Sequence, residues 1–93
     1  MAAITLYGAN WCDDTIRTQS RLAALAVGYH YVNVDANPMG QEEVRELNEG
    51  SLKLPTVVIE GSGTRILSVP NERELWQALV DTRLLDPRAN AQF

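Results

Sequence analysis

Cys12 is the only cysteine in the chain and the residue best suited to nucleophilic chemistry. It stands between a short strand-like run and the first turn of a predicted helix. Unsatisfied backbone N–H groups and the positive end of the helix dipole converge there, and both favour thiolate over thiol. The thiolate is the attacking species of disulfide exchange, so a reactive cysteine gains most at this position. A small apolar side chain that merely packs at a helix end would sit equally well there, and position alone leaves both readings open. The second notable feature is Leu54-Pro55-Thr56. Proline at the first residue of a strand suits an edge strand, and most X-Pro bonds are trans.

Four other polar features read as structural. Asp13 and Asp14 fall in the first helical turn, where negative charge suits the dipole. The same two carboxylates oppose ionisation of a neighbouring thiol by like charge. His30, the only histidine, lies within a strand pattern away from the Cys12 loop. Glu42, Glu43 and Glu46 read as a solvated helix face, and Lys53 as a solvated loop residue.

The elements that must position Cys12 can be read from periodicity and turn residues. Residues 4–8 are strand formers, broken by Gly8-Ala9-Asn10. Residues 13–27 have a helical pattern, with Ile16, Leu22, Leu25 and Ala26 near one face and Gly28 as the stop. Residues 29–34 alternate as a strand and end in the turn Asp35-Ala36-Asn37-Pro38. A second helix is predicted from Met39 or Gly40 to Asn48, with Val44 and Leu47 inward. Residues 54–59 form a proline-led strand, and Gly61-Ser62-Gly63 turns it into an antiparallel partner over residues 64–69. The third helix opens at Asn71, with Glu74 completing a capping-box variant, and buries Leu75, Trp76, Leu79 and Val80.

The order is therefore β-α-β-α-β-β-α. The two strands joined by a helix are expected to be parallel, and the hairpin strands antiparallel. An α/β fold with a four-stranded mixed sheet flanked by three helices is the simplest arrangement. Residues 1–84 are expected to form one domain and residues 85–93 a C-terminal tail.

Composition narrows the function classes. The 93 residues carry a net charge of -4, without a basic cluster of the kind nucleic-acid binding requires. No apolar run approaches the roughly 18 to 20 residues of a membrane span, and residues 1–7 lack the basic and long apolar regions of a secretory signal. One cysteine cannot close an intramolecular disulfide, and with one histidine it makes no structural zinc site, so no metal is expected. A lone cysteine without a leader fits a reducing cytoplasm.

Taken in order, the segments resemble the glutaredoxins, and most of all the short bacterial, mycoredoxin-like group with a Trp-Cys-x-x-Cys site. Leu6-Tyr7-Gly8-Ala9-Asn10-Trp11-Cys12 resembles the family's first strand and active-site loop. Val34-Asp35 is similar to the end of its second strand, Leu54-Pro55-Thr56-Val57 to its Val-Pro-Thr segment, and Pro70-Asn71 to the start of its third helix. The similarity runs over about residues 3 to 82. It implies a thioredoxin-like fold with Cys12 as nucleophile and a cis Pro55 facing it. It also implies that the Leu54 backbone pairs in strand fashion with glutathione or a peptide, a short β-augmentation. Asn71 and Glu72 would offer helix N-terminal amides to a carboxylate, and Trp11 would shield or contact the sulfur.

Three positions depart from that pattern. Thr15 stands where the second cysteine is expected, so a two-cysteine cycle within this chain is excluded. Its hydroxyl could donate to Cys12 or cap the turn. Ala9 stands where many members carry a lysine that helps bind glutathione, and Lys53 is the nearest substitute. The adjacent acids Asp13 and Asp14 are the third.

The expected activity is monothiol thiol–disulfide exchange on glutathione mixed disulfides, with glutathione as co-substrate and glutathione or a glutathionylated protein as partner to a monomeric chain. The alternative is a redox-inactive binding module that uses the groove beside Pro55 for a peptide or protein. Monothiol members that bridge a [2Fe–2S] cluster typically carry Cys-Gly-Phe-Ser, which Cys-Asp-Asp-Thr matches poorly.

Overall fold

The computed structural model describes residues 2–88. Seven elements follow the expected order: β1 (Ile4–Gly8), α1 (Asp13–Ala24), β2 (His30–Asn33), α2 (Pro38–Leu47), β3 (Thr56–Gly61), β4 (Gly63–Ser68) and α3 (Glu72–Asp81). The four strands form one mixed sheet in the order β2-β1-β3-β4. β1 runs parallel to β2, with Thr5 opposite His30 and Gly8 opposite Asn33. It runs antiparallel to β3, with Ile4 opposite Ile59 and Tyr7 opposite Thr56. β3 and β4 are an antiparallel hairpin. This is the thioredoxin-like arrangement.

Strand alternation sends successive side chains to opposite faces, and each face has its own core. Ile4, Leu6, Val57 and Ile59 pack with Leu22 of α1 and with Leu75, Ala78 and Leu79 of α3. Tyr7, Val34 and Val44 of α2 form the second cluster, joined by the half-buried Val32, Leu47, Leu54 and Val58. The sheet therefore lies between α1 with α3 on one side and α2 on the other.

Several boundaries and faces differ from the sequence reading, each for a local reason. α1 ends at Ala24 rather than near residue 27, because Ala26 takes a positive φ of 56° and breaks the helix before Gly28. Ile16 is 47% exposed instead of inward, and the buried stripe of α1 is Thr15, Thr18 and Leu22. Thr18 can be buried because its hydroxyl donates to the Asp14 carbonyl at 2.9 Å. β2 is shorter than residues 29–34. α2 begins a residue or two earlier than expected, with Pro38 in its first turn and the Asn37 side chain accepting from Gly40 N–H at 3.0 Å. β3 starts at Thr56, after the proline. The flanking glycines of the hairpin belong to the strands and leave Ser62 at the tip. α3 has the capping box foreseen, but it buries Ala78 with Leu75 and Leu79, while Trp76 and Val80 are half-buried.

Leu84 and Leu85 pack against the larger core cluster. Of the expected tail, residues 89–93 lie outside the described residues. Among the described residues, no helix is long and apolar enough to cross a membrane.

Tyr7 ties the sheet to α2. Its hydroxyl donates to Glu43 Oε2 at 2.6 Å. Burial, then the bond to Glu43 and the charges of Glu43 and Glu60, push its pKa from 10.0 to about 12. Folding therefore favours the neutral phenol. Its contribution is complete below pH 10 and is lost as the pH rises through about 12. Urea titrations across that window should show stability falling with pH, with a shallower fall in Tyr7→Phe. Some slope should remain, because burial and the nearby charges of Asp35, Cys12 and Tyr29 also raise Tyr31.

Candidate active site

The ends of β1 and β2 lie side by side, and the loops that leave them carry the site. After Gly8 the chain turns through Ala9-Asn10-Trp11, closed by Cys12 N–H donating to the Ala9 carbonyl at 3.1 Å. Cys12 is the N-cap of α1, in extended backbone conformation (φ -86°, ψ 115°) and with no side-chain capping bond. The sulfur is thus not engaged by its own helix. It is partly exposed and lies 3.9 Å from the Leu54 carbonyl oxygen, the outer reach of a thiol hydrogen bond.

The Leu54–Pro55 peptide bond is cis, as the resemblance implied and local sequence did not. The Pro55 carbonyl accepts from Val69 N–H at 2.8 Å, which joins the segment before α3 to the same strap. The Leu54 N–H has no partner among the described residues. A free N–H beside a carbonyl that faces the sulfur is a short open strand edge.

Thr15 is fully buried and does not reach the sulfur with a hydrogen bond. Its hydroxyl oxygen accepts from Ala9 N–H at 3.4 Å. The side chain is wedged against Gly8: a Cβ on that glycine would lie 2.4 Å from Thr15 Cγ2 and 2.6 Å from its hydroxyl oxygen. Of the two roles weighed for the hydroxyl, it serves the turn and not the thiol.

Trp11 is 70% exposed and its Nε1 donates to Asp35 Oδ2 at 2.7 Å. The Tyr31 hydroxyl donates to Asn10 Oδ1 at 2.8 Å. Together these bonds clamp the Cys12 loop to β2 and the turn that follows it. Neither Tyr31 nor Asp35 was singled out from the sequence, since a strand tyrosine and a turn aspartate have ordinary local explanations.

The α3 end of the site is tied to α1. The Asn71 side chain accepts from Glu74 N–H at 2.8 Å, and Glu74 Oε1 accepts in return from Asn71 N–H at 3.0 Å. Its carboxamide oxygen is therefore committed to its own helix. Glu72 pairs with Arg21 Nε at 3.4 Å, and Arg21 Nη1 donates to the Pro70 carbonyl at 3.4 Å. Arg21 is the link. Val69, just before, holds a φ of 47°, a left-handed conformation rare for a β-branched residue.

Charge around the sulfur is mixed. Asp14 is bonded to Arg17 one turn further along α1, and Asp13 is exposed. The Arg17 guanidinium is pushed up first by its bond to Asp14, and feels Asp13 and Cys12 as well. His30 is exposed at the start of β2, opposite Thr5, at the far end of the sheet from Cys12. Lys53 is exposed beside Leu54, and Ala9 is fully buried. No three histidine, cysteine or carboxylate side chains gather into a metal-binding group among the described residues.

A thiol at a helix start beside a cis-proline strap defines a protein of the thioredoxin-like thiol–disulfide class. The glutaredoxin family model matches residues 4–63, and the chain belongs to the glutaredoxin family. Among solved structures it is similar to the glutaredoxin grx-1 of Archaeoglobus fulgidus, with 23% identity over 83% of this chain and 85% of that one and a TM-score of 0.67. It also resembles the NrdH-redoxin of Escherichia coli, at 29% identity over 67% of this chain and 78% of that one, with a TM-score of 0.55. Wheat glutaredoxin shares the fold at 15% identity over 89% of this chain and 74% of that one, with a TM-score of 0.60. No curated protein matches the chain.

The wedge between Thr15 and Gly8 predicts a specific stability effect. Gly8→Ala should destabilise the protein by about 1–3 kcal/mol, the usual range for overpacking. Combining it with Thr15→Ala should recover part of that loss. Denaturant unfolding of the single and double variants would measure both.

Proposed function

We propose that the protein is a monothiol glutaredoxin that resolves glutathione mixed disulfides through Cys12. The observation that carries this reading is the sulfur of a helix-capping cysteine, free of its own helix, 3.9 Å from the carbonyl of Leu54. The unpaired N–H of the same residue completes an edge on which a cysteinyl backbone can lie as an added strand.

The chemistry closes with one cysteine. The Cys12 thiolate attacks the glutathione sulfur of a mixed disulfide, forming Cys12–S–S–glutathione and releasing the other thiol as thiolate. A second glutathione thiolate then attacks the glutathione sulfur of that intermediate. Glutathione disulfide leaves and the Cys12 thiolate is restored. Each step breaks one S–S bond and forms another, so glutathione is the reductant throughout. Thr15 has no part in electron transfer and supports the loop.

The α3 N-terminus supports the docking of a carboxylate. The first N–H groups of a helix lack intrahelical acceptors, and the segment bearing Glu72 is held by Arg21 from α1 and by Val69 to Pro55. Asn71 contributes as the cap that shapes this end. Trp11 covers the loop from its outer side, where a substrate would meet its exposed ring. We place the reaction in a reducing cytoplasm, which a chain with a single cysteine suits, and take the chain to act as a monomer.

The test is turnover of the mixed disulfide of glutathione and 2-mercaptoethanol with excess glutathione. Wild type should turn over, and Cys12→Ser should reduce the rate to background. Thr15→Cys should remain active and acquire an intramolecular disulfide on oxidation, visible as one thiol pair lost per chain. No turnover by folded wild type, together with retained binding of a peptide in the Pro55 groove, would replace this reading with that of a binding module. The Escherichia coli NrdH-redoxin is described as glutaredoxin-like with a thioredoxin-like activity profile. Substituting a dithiol protein reductant for glutathione in the same assay therefore tests the choice of donor.

A further inference from the structure

The strap that carries Leu54 has to be held at a fixed height under Cys12, and its polar support comes from the end of α2. Asn48 is the C-cap of α2. Its Nδ2 donates to the Val44 carbonyl at 2.8 Å and to the Thr56 hydroxyl oxygen at 3.0 Å. Its Oδ1 accepts from the Ser68 hydroxyl of β4. The Thr56 hydroxyl, fully buried, donates onward to the Lys53 carbonyl at 2.7 Å. Lys53 immediately precedes Leu54.

The bonds run in one direction, from Ser68 through Asn48 and Thr56 to the Lys53 carbonyl. They fasten the strap at the Lys53 carbonyl, and Val69 N–H fastens it through the Pro55 carbonyl at 2.8 Å. The Thr56 hydroxyl has one hydrogen, so it can serve Lys53 only while Asn48 offers it an N–H rather than an acceptor. Nothing in the helix itself requires a carboxamide at this position, since the Asn48 backbone N–H already caps the last turn through Val44 and Arg45 carbonyls.

We infer that Asn48 and Thr56 are positioning residues for the reaction at Cys12, setting the Leu54–Pro55 edge on which the disulfide substrate docks. This inference rests on the reading of the site as one for glutathione mixed disulfides. It assigns no contact with the reacting sulfur atoms to either residue. Asn48→Asp is the sharpest perturbation: it is nearly isosteric, but a carboxylate is an acceptor only and would draw the Thr56 hydrogen away from Lys53. Thr56→Val removes the hydroxyl with little change of volume, and Thr56→Ser retains it.

The experiment measures three quantities on folded protein: KM for a peptide–glutathione mixed disulfide, the rate of Cys12 alkylation by iodoacetamide, and hydrogen exchange at the Val69 amide. Asn48→Asp and Thr56→Val should raise KM about tenfold, equivalent to about 1.4 kcal/mol, and speed Val69 exchange. Alkylation, which needs no docking edge, should stay within about twofold of wild type by the same criterion of position without contact. Thr56→Ser should behave as wild type in all three. Unchanged KM and unchanged Val69 exchange in both variants would overturn the inference, as would alkylation falling in step with KM. Should wild type itself fail to turn over, the glutathione reading falls, while Val69 exchange still decides whether the two residues hold the strap.

Discussion

A helix can present a cysteine to substrate only if its first turn is held still, and here that turn is pressed onto the end of a central strand. The contact between Gly8 and Thr15 leaves no room for a Cβ on the strand. Packing this tight admits few alternative arrangements, because protein interiors are filled at crystal-like density. It fixes the rotation of α1, which explains why Thr15, Thr18 and Leu22 point inward and the larger Ile16 does not. It also fixes Cys12, three residues before Thr15, at the mouth of the loop. The residue at the second cysteine position of a Cys-x-x-Cys spacing is thereby a structural wedge.

The other wall of the site is built differently. The strap at Leu54 and Pro55 has no regular secondary structure of its own, so its backbone groups must be satisfied from outside. The apolar side of Leu54 is set by the Tyr7, Val34 and Val44 cluster. The polar side is set by the donors that reach Lys53 and Pro55 carbonyls. What is left over is the Leu54 N–H, beside a carbonyl 3.9 Å from the sulfur.

The order of elements, the inward Leu22, Val44, Leu75 and Leu79, and the place of Cys12 were legible because they rest on periodicity, turn residues and a cysteine at a helix start. The capping box at Asn71 was legible for the same reason, being local chemistry over one turn. The cis bond was not, since Leu54-Pro55 is compatible with either isomer and only the family resemblance favoured cis. Arg21, Tyr31, Asp35 and Asn48 were invisible as site residues because each acts across the fold: Arg21 to Glu72, Tyr31 to Asn10, Asp35 to Trp11, and Asn48 to Thr56 and Ser68. A single sequence carries no signal for a hydrogen bond between distant segments. Ile16 was misplaced because hydrophobicity alone ranks isoleucine above threonine, while burial of a threonine depends on whether its hydroxyl finds a carbonyl.

The acids beside Cys12 take on a different meaning once their partners are known. Read in isolation, Asp13 and Asp14 place like charge beside a thiol whose attacking form is an anion. In the fold, Asp14 holds Arg17, a cation that also feels Cys12, and Asp35 holds the indole N–H of Trp11. Only Asp13 is left fully to solvent, at a helix N-terminus where the dipole favours it. Exposed pairs of this kind contribute little to stability, so their value lies in where they put things. Asp14 holds a cation within the first turns of α1, and Asp35 braces the tryptophan that precedes Cys12. Two of the three acids near this helix start thus have partners of their own, Asp14 in Arg17 along the helix and Asp35 in Trp11 of the Cys12 loop.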